Sequence, residues 1–359
     1  MLKQWKQWKD CFRINVDMNH IDVIVKNYEK TEYVEYEPAI DGCALSEWLD
    51  RYTADSNDKQ INFIRPFSNL IPAWSYALDW YGDVLFTWKL LEMDEAPVPL
   101  LMCEDDADYS CVVIVAEVEK KDDYVYWNRI GYVNHDNESF DEEKRMGIFC
   151  LEAYSDEDWE KYGDNIALAN IDSDEWRQWI SEHWTEELFR RRMNYTLPYY
   201  KTEGSITWFV DTDWIFDRRE YESMLKKYQV LQRINLAKSE IDMTTKKINK
   251  EECAEILSRI LPGGTRLLKK HYDDYGEMLI HLFVSEAINE PFIELIRNQA
   301  SSDKELELYV YAIKFMLLHG DENVLNALHV TVYERLCDEK EMLKKRGIDL
   351  ECLIPEEST

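Results

Sequence analysis

The sequence predicts an α+β domain, an antiparallel sheet with flanking helices, followed by an all-α helical bundle. Three observations lead there. Residues 111–133 read as two β-runs around a polar turn, no tryptophan follows Trp214, and the apolar spacing beyond about residue 225 is helical almost throughout. At 359 residues the chain exceeds the usual size of one compact domain. We expect the α+β domain at 1–225, a helical or flexible connector at 226–252 and the helical domain at 253–359.

Taken in order, residues 17–25 and 61–67 read as short extended segments. "YGDVLFTWKLLE" (81–92) places Val84, Phe86 and Trp88 on one side of an alternating strand. "APVPLLMCE" (96–104) carries prolines that confine it to a strand start or a sheet edge. "CVVIVAEVE" (111–119) sets Val112, Ile114, Ala116 and Val118 on one face. "KKDD" then turns the chain, and "YVYWNRIGYV" (124–133) brings it back as a hairpin. "SDEDWEKYGDNIALA" (155–169) opens like a helix, with Ser155 as cap and acids in its first turn. In "SDEWRQWISEHWTEELFRRRM" (173–193), Trp176, Trp179 or Ile180, Trp184 and Leu188 recur at helical spacing. Arg190, Arg191 and Arg192 fall in the last turn expected there, where cations suit the helix dipole and can pair with nearby acids. In the helical domain, Pro262-Gly263-Gly264 stops one helix, Pro291 suits a first turn, Gly320 suits a C-terminal cap and Asp321 an N-terminal one.

The formal charge is −30, from 72 Asp and Glu against 42 Lys and Arg. Such a surface repels nucleic-acid phosphates and anionic lipid, so neither nucleic acid nor membrane is an expected partner. Apolar residues make up 45% of the chain and aromatics 13%, enough for packed cores rather than disorder. No run approaches the roughly 18 apolar residues of a membrane span. "MLKQWKQWKDCF" lacks the apolar core of a signal peptide. The eight cysteines are spread singly through the chain with no C-x-x-C pair, as reduced thiols usually are, so a cytoplasmic location is expected.

Motifs for chemistry are scarce. G-x-S-x-G, H-E-x-x-H, P-loop and G-x-G-x-x-G patterns are all missing from the sequence. "DDADYS" and "DNESFDEE" lack the glycine of a calcium loop, and Asp211-Thr-Asp213 is too short a motif to assign a metal. His281, beside Leu282 and Phe283, reads as a satisfied core or interface residue. No catalytic, cofactor-binding or metal-binding residue is assigned, and no cofactor is expected. The acids are unevenly placed: residues 92–123 hold eleven Asp and Glu against two Lys, and residues 134–164 eleven against three bases. Acids steer a basic partner and aromatics anchor it. The expected partner surface is therefore Glu104, Asp105, Asp106, Asp108, Tyr109, Asp122, Asp123, Trp127, Asp136, Asp141, Glu142, Glu143, Asp156, Glu157, Asp158 and Trp159. Two alternatives stand beside it: a metal-dependent hydrolase using carboxylates of the first domain, and a scaffold whose helical domain forms a homo-oligomer.

Two resemblances bear on this choice. "HLFVSEAINEPFIELI", "YAIKFMLLHGDENVLNALHVTVYERLCDE" and "GIDLECLIP" resemble a small helical domain of bacterial proteins, over about Arg266 to Pro355. "PVPLLMCEDDADYSCVVIVAEVEKKDDYVYW", with "FVDTDWIFDRREY" after it, looks like a β-rich bacterial domain with flanking cysteines and a V-x-W strand, although its cysteine spacing is looser here. Both kinds of domain are similar to those of immunity proteins of polymorphic-toxin systems, including the SMI1/KNR4-like superfamily. The resemblance implies a non-enzymatic bacterial cytoplasmic protein that binds and neutralises a basic toxin domain. It transfers no site residue.

Overall fold

In a computed structural model the chain forms two compact units, Met1–Leu225 and Lys226–Thr359. The structure describes residues 18–26, 35–105, 107–134, 160, 178, 182–298 and 301–354. Residue 160 excepted, the helix expected at 155–169 lies outside these residues, as do residues 173–181 of the one expected at 173–193, residue 178 excepted.

The first unit holds two antiparallel sheets. Strands β1 (Ile21–Lys26), β2 (Glu35–Ile40) and β3 (Cys43–Ala44) form the smaller. The larger is a five-stranded meander of β4 (Ile71–Pro72), β5 (Glu95–Met102), β6 (Val113–Lys121), β7 (Tyr124–Val133) and β8 (Ile206–Asp217), in that spatial order. The β6–β7 hairpin falls where the alternation placed it, with Lys121 opposite Tyr124 and Asp122 in the left-handed region at φ +50°. Pro97 and Pro99 are tolerated in β5 because the two-residue β4 reaches only Leu101 and Met102, leaving the proline half of that edge without a ladder.

One face of the sheet packs on an aromatic core. Trp127 is fully buried, with its ring centroid 5.6 Å from that of Phe216, 6.1 Å from Trp214 and 6.3 Å from both Trp74 and Tyr221. Trp74 donates its indole N–H to the Pro99 carbonyl at 2.7 Å, which satisfies the one polar atom that burying an indole strands.

Among the described residues, strand β8 is outermost in the sheet. Its Asp211 and Asp213 are exposed, and Asp213 takes a left-handed backbone at φ +47°. Farther along, Asn19 closes on the same strand: its N–H donates to the Ile215 carbonyl at 2.8 Å, and its side-chain oxygen accepts from the Ile215 N–H at 3.2 Å.

Three local expectations are corrected. Residues 59–64 are helix α2 (Lys59–Ile64), following α1 (Leu45–Tyr52). Asp58 caps α2 by accepting from the Gln60 and Ile61 N–H groups. Residues 81–92 are helix α3 (Tyr81–Glu92), not a strand. Eight of its twelve residues are buried, and the exposed stripe at helical spacing is only Leu85, Lys89 and Glu92 and opens on a leucine, so the helical period is faint in the sequence and the Val84–Phe86–Trp88 alternation has no structural meaning. Arg190–Arg192 do not end a helix. α4 (Trp184–Arg191) continues through a π-turn (Arg192–Thr196) into Leu197–Tyr200, so the arginines sit mid-helix.

The second unit is helical. The helix α5 (Arg218–Met243) carries Val230, Ile234 and Ala237 into this unit's core, so the stretch expected as a connector is packed structure as far as Met243. Helices α6 (Lys250–Ile260), α7 (Gly264–Tyr275), α8 (Ile280–Val284), α9 (Glu290–Arg297) and α10 (Asp303–His319) surround Leu257, Phe283, Phe292 and Phe315. Short helices α11 (Glu322–Asn326), α12 (Glu334–Cys337), α13 (Lys340–Lys345) and α14 (Leu350–Leu353) complete it. Asp321 caps α11 as expected, accepting from the Asn323 and Val324 N–H groups. Gly320 is needed for a different reason from the one expected. Its φ is −62°, and a Cβ there would lie 2.5 Å from Val324 Cγ1 and 2.6 Å from the Met316 carbonyl. No described helix is long and apolar enough to cross a membrane.

Candidate functional site

The described members of the expected partner surface do not come together. Asp122 and Asp123 are exposed in the β6–β7 turn, while Glu104 and Asp105 follow β5 at the opposite end of the sheet. The nine residues of β6 separate the two ends by about 30 Å, at about 3.4 Å per residue. That is several times the screening length at physiological salt, so the two ends do not act on one partner charge. Nor is the β6–β7 turn purely acidic. Arg218 donates from its backbone to the Asp123 carbonyl at 2.9 Å and from its guanidinium to the Asp122 carbonyl at 3.3 Å.

Asp108, Tyr109 and Trp127 are buried and offer nothing to a partner. Asp108 accepts from the Ser110 N–H and hydroxyl, at 2.7 and 2.6 Å, as a turn residue does. Trp127 belongs to the aromatic core. Asp106, Asp136, Asp141, Glu142, Glu143, Asp156, Glu157, Asp158 and Trp159 lie outside the described residues.

Tyr109 belongs instead to a buried ionic cluster. Gly82 of α3 allows α4 to approach closely, since a Cβ there would lie 2.9 Å from Leu188 Cβ and from the Thr185 carbonyl. That approach brings Arg192 onto Asp83 with two hydrogen bonds, at 2.7 and 3.2 Å. Glu187 accepts from Arg191 Nε at 2.7 Å and also from Arg190. The Arg192 guanidinium lies 4.9 Å from the centre of the Tyr109 ring, and the Tyr109 hydroxyl bonds Thr87. Burial pushes the Asp83 carboxyl above its ordinary range against the pull of Arg192, and it pushes the Tyr109 phenol well up. This cluster ties α3 to α4 and is almost closed to solvent.

An accessible site lies on the sheet. A cleft of about 650 Å³ lies against β5–β8, bordered at one end by the loop Lys201–Gly204. Its elements converge by register. Pro97 stands opposite Glu117, and Gly131 stands opposite Trp208. Gly131 cannot carry a side chain here, because a Cβ would lie 2.7 Å from Ile206 Cγ2 and 2.9 Å from Trp208 Cε3, so the indole packs close against the glycine. The register shift between Trp127 and Arg129 separates the two residues' roles: Trp127 goes to the core while Arg129 lines the cleft. There Arg129 donates Nε and Nη2 to the two oxygens of Glu117, at 3.0 and 2.8 Å. Its guanidinium sits 4.4 Å from the centre of the Trp208 ring.

The cleft already holds one guanidinium, by a bidentate carboxylate on its edge and an indole on its face. Glu95 and Glu203 add two more carboxylates, and Lys201 one more cation. No family model, no curated protein and no solved structure matches the chain. The cleft therefore stands on its own geometry. Among the described residues no group of three His, Cys, Asp or Glu is placed to hold a metal ion.

Sequence reasoning missed the cleft because its members come from four strands, and only register and bulges set them side by side. Glu95 and Glu117 were counted among the acids of 92–123 but not singled out. The one usable signal is Gly131 inside a strand rich in aromatic and β-branched residues, which marks a close approach.

Proposed function

We propose that this is a non-enzymatic binding protein of the immunity type, whose first unit captures a basic segment of a partner protein in the cleft on β5–β8. The arrangement of Glu117 and Trp208 around Arg129 carries this reading. It is the chemistry by which a partner's arginine or lysine would be held, and Glu95 and Glu203 lie in the same cleft to take it. The charge of −30 supplies the long-range attraction that speeds capture of a cationic protein. The resemblance to immunity proteins points the same way.

The test is titration of the full chain with arginine-rich, lysine-rich and glutamate-rich peptides at low and physiological salt. Binding of the basic peptides that weakens with salt, and falls about tenfold in Glu95→Gln and in Glu203→Gln, is the expected result. No binding of a basic peptide, or binding unchanged by both substitutions, overturns the reading.

A further inference from the structure

The small sheet holds a buried pair that the cleft does not use. Lys26 of β1 and Glu37 of β2 sit diagonally across the ladder, where Ile24 stands opposite Glu37 and Lys26 opposite Glu35. Their side chains are 10% and 1% exposed, and Lys26 Nζ stands 3.4 Å from Glu37 Oε2. The two oxygens of that carboxyl are not alike. Oε1 accepts from the Ser46 hydroxyl of α1 at 3.0 Å, while Oε2 is buried and accepts no hydrogen bond. Nζ for its part donates to the carbonyl of Leu70, just before β4, at 2.9 Å.

A buried ion pair repays its desolvation when hydrogen bonds meet both carboxylate oxygens. Here the partners fit an amide instead. An amide between Lys26 and Glu37 has one N–H and one carbonyl oxygen to satisfy. The Leu70 carbonyl already receives the N–H, and the Ser46 hydroxyl already serves the oxygen. The unmet atom, Oε2, is the one such a bond discards. Burial also favours the reactive forms. It pushes the Lys26 amine down against the charge of Glu37, and the Glu37 carboxyl up against the charge of Lys26. Both shifts lead toward a neutral amine with a free lone pair beside a neutral acid. The Ser46 hydroxyl, donating to Oε1, polarises the carbonyl under attack.

We propose that Lys26 and Glu37 condense into a side-chain amide cross-link. Nζ attacks Cδ, and the Nζ–Cδ bond forms as the Cδ–Oε2 bond breaks. Counted from the ammonium and the carboxylate, two of the three Nζ protons end on Oε2, which leaves as water, and nothing is oxidised or reduced. Between free molecules in water this condensation does not proceed, but groups fixed in contact reach effective concentrations of about 10⁵–10⁸ M. The link ties β1, an outer strand of the small sheet among the described residues, to β2. It uses no residue of the cleft on β5–β8, so it stands whether or not a basic partner binds there.

The experiment is intact-mass spectrometry of the full chain after prolonged incubation at neutral pH, followed by tryptic mapping. The expected mass is that of the sequence less one water, with a branched peptide whose fragments place the junction between Lys26 and Glu37 rather than Glu35. Lys26→Arg keeps the positive charge but replaces the amine with a guanidinium that stays protonated, so it should retain the full sequence mass. Asp41-Gly42 can also lose water, by closing a succinimide, but that loss would persist in Lys26→Arg and map to Asp41. The full sequence mass in the wild type, a junction at Glu35, or a water loss that maps only elsewhere overturns the proposal. Should Lys26→Arg fail to fold, the mapped wild-type peptide decides alone.

Discussion

Arg192 grips Asp83 across 109 residues of chain, with both side chains almost wholly out of water. Two helices far apart in sequence are tied by a charge pair that neither partner can leave without stranding the other. Asp83→Asn should therefore destabilise the first unit by about 3–5 kcal/mol, because it abandons a buried guanidinium. Asp83→Asn combined with Arg192→Met should recover a good part of that loss. Chemical denaturation followed by tryptophan fluorescence measures both. A double variant no more stable than Asp83→Asn would mean that the pair does not set the cost.

Gly131→Ala should cost about 1–3 kcal/mol, the usual range for forcing a methyl into packed surroundings. It should also shift the emission of Trp208, whose indole must lift off the strand. Denaturation and emission spectra of Gly131→Ala, compared with Trp208→Phe and with Gly131→Ala in a Trp208→Phe background, isolate that signal.

Asp122 holds a positive φ in the β6–β7 turn, a conformation glycine adopts freely. Asp122→Gly should raise stability by a few tenths to about 1 kcal/mol. Since the described acids at the two sheet ends do not share a surface, the same substitution should leave capture of a basic peptide within about twofold of wild type. A larger loss in the peptide titration would put the turn back into the binding face.

Acid should loosen the second unit first. Glu252 is held below the ordinary carboxylate range by Lys246 and by the Asn249 N–H it caps, and Asp349 by the Cys352 side chain and backbone N–H groups. At Glu305, burial pushes upward, but Lys226 and the Ser302 N–H prevail and lower it. Groups lowered by folding contribute stability above their unfolded pKa and lose it as pH falls through the folded one. Glu37 and Asp83 in the first unit run the other way. Burial raises them against Lys26 and Arg192, so their desolvation cost shrinks as pH falls. Hydrogen-exchange protection factors, corrected for the intrinsic rate, should fall on acidification for the first turns of α6, α10 and α14 before they fall for α3.

The contrast between α3 and the β6–β7 hairpin shows what the sequence made legible. The hairpin could be read because it has a wet side: Glu117 and Glu119 alternate with buried Ala116 and Val118, and the period survives. In α3 eight of twelve positions are buried and the exposed stripe opens on Leu85, so its Val84–Phe86–Trp88 run reads equally well as a strand. Gly82 and Asp83 are explained only by a helix about a hundred residues later. Tyr109 and Trp127 resembled partner anchors for the same reason, since an aromatic beside acids looks alike whether it faces water or a core. The cleft was hidden more deeply. Arg129, Glu117 and Trp208 have no spacing relation in the chain, and two register shifts in the β7–β8 pairing decide which of their neighbours turn outward.

Strand β8 has a consequence for crowded solutions. Were two copies to meet with their outermost strands side by side, Asp211 and Asp213 would confront their own counterparts, and the left-handed kink at Asp213 would throw the facing amides out of step. The molecule thereby discourages the growth of a shared sheet, and a chain with so many aromatic β-segments gains protection against fibrous self-assembly.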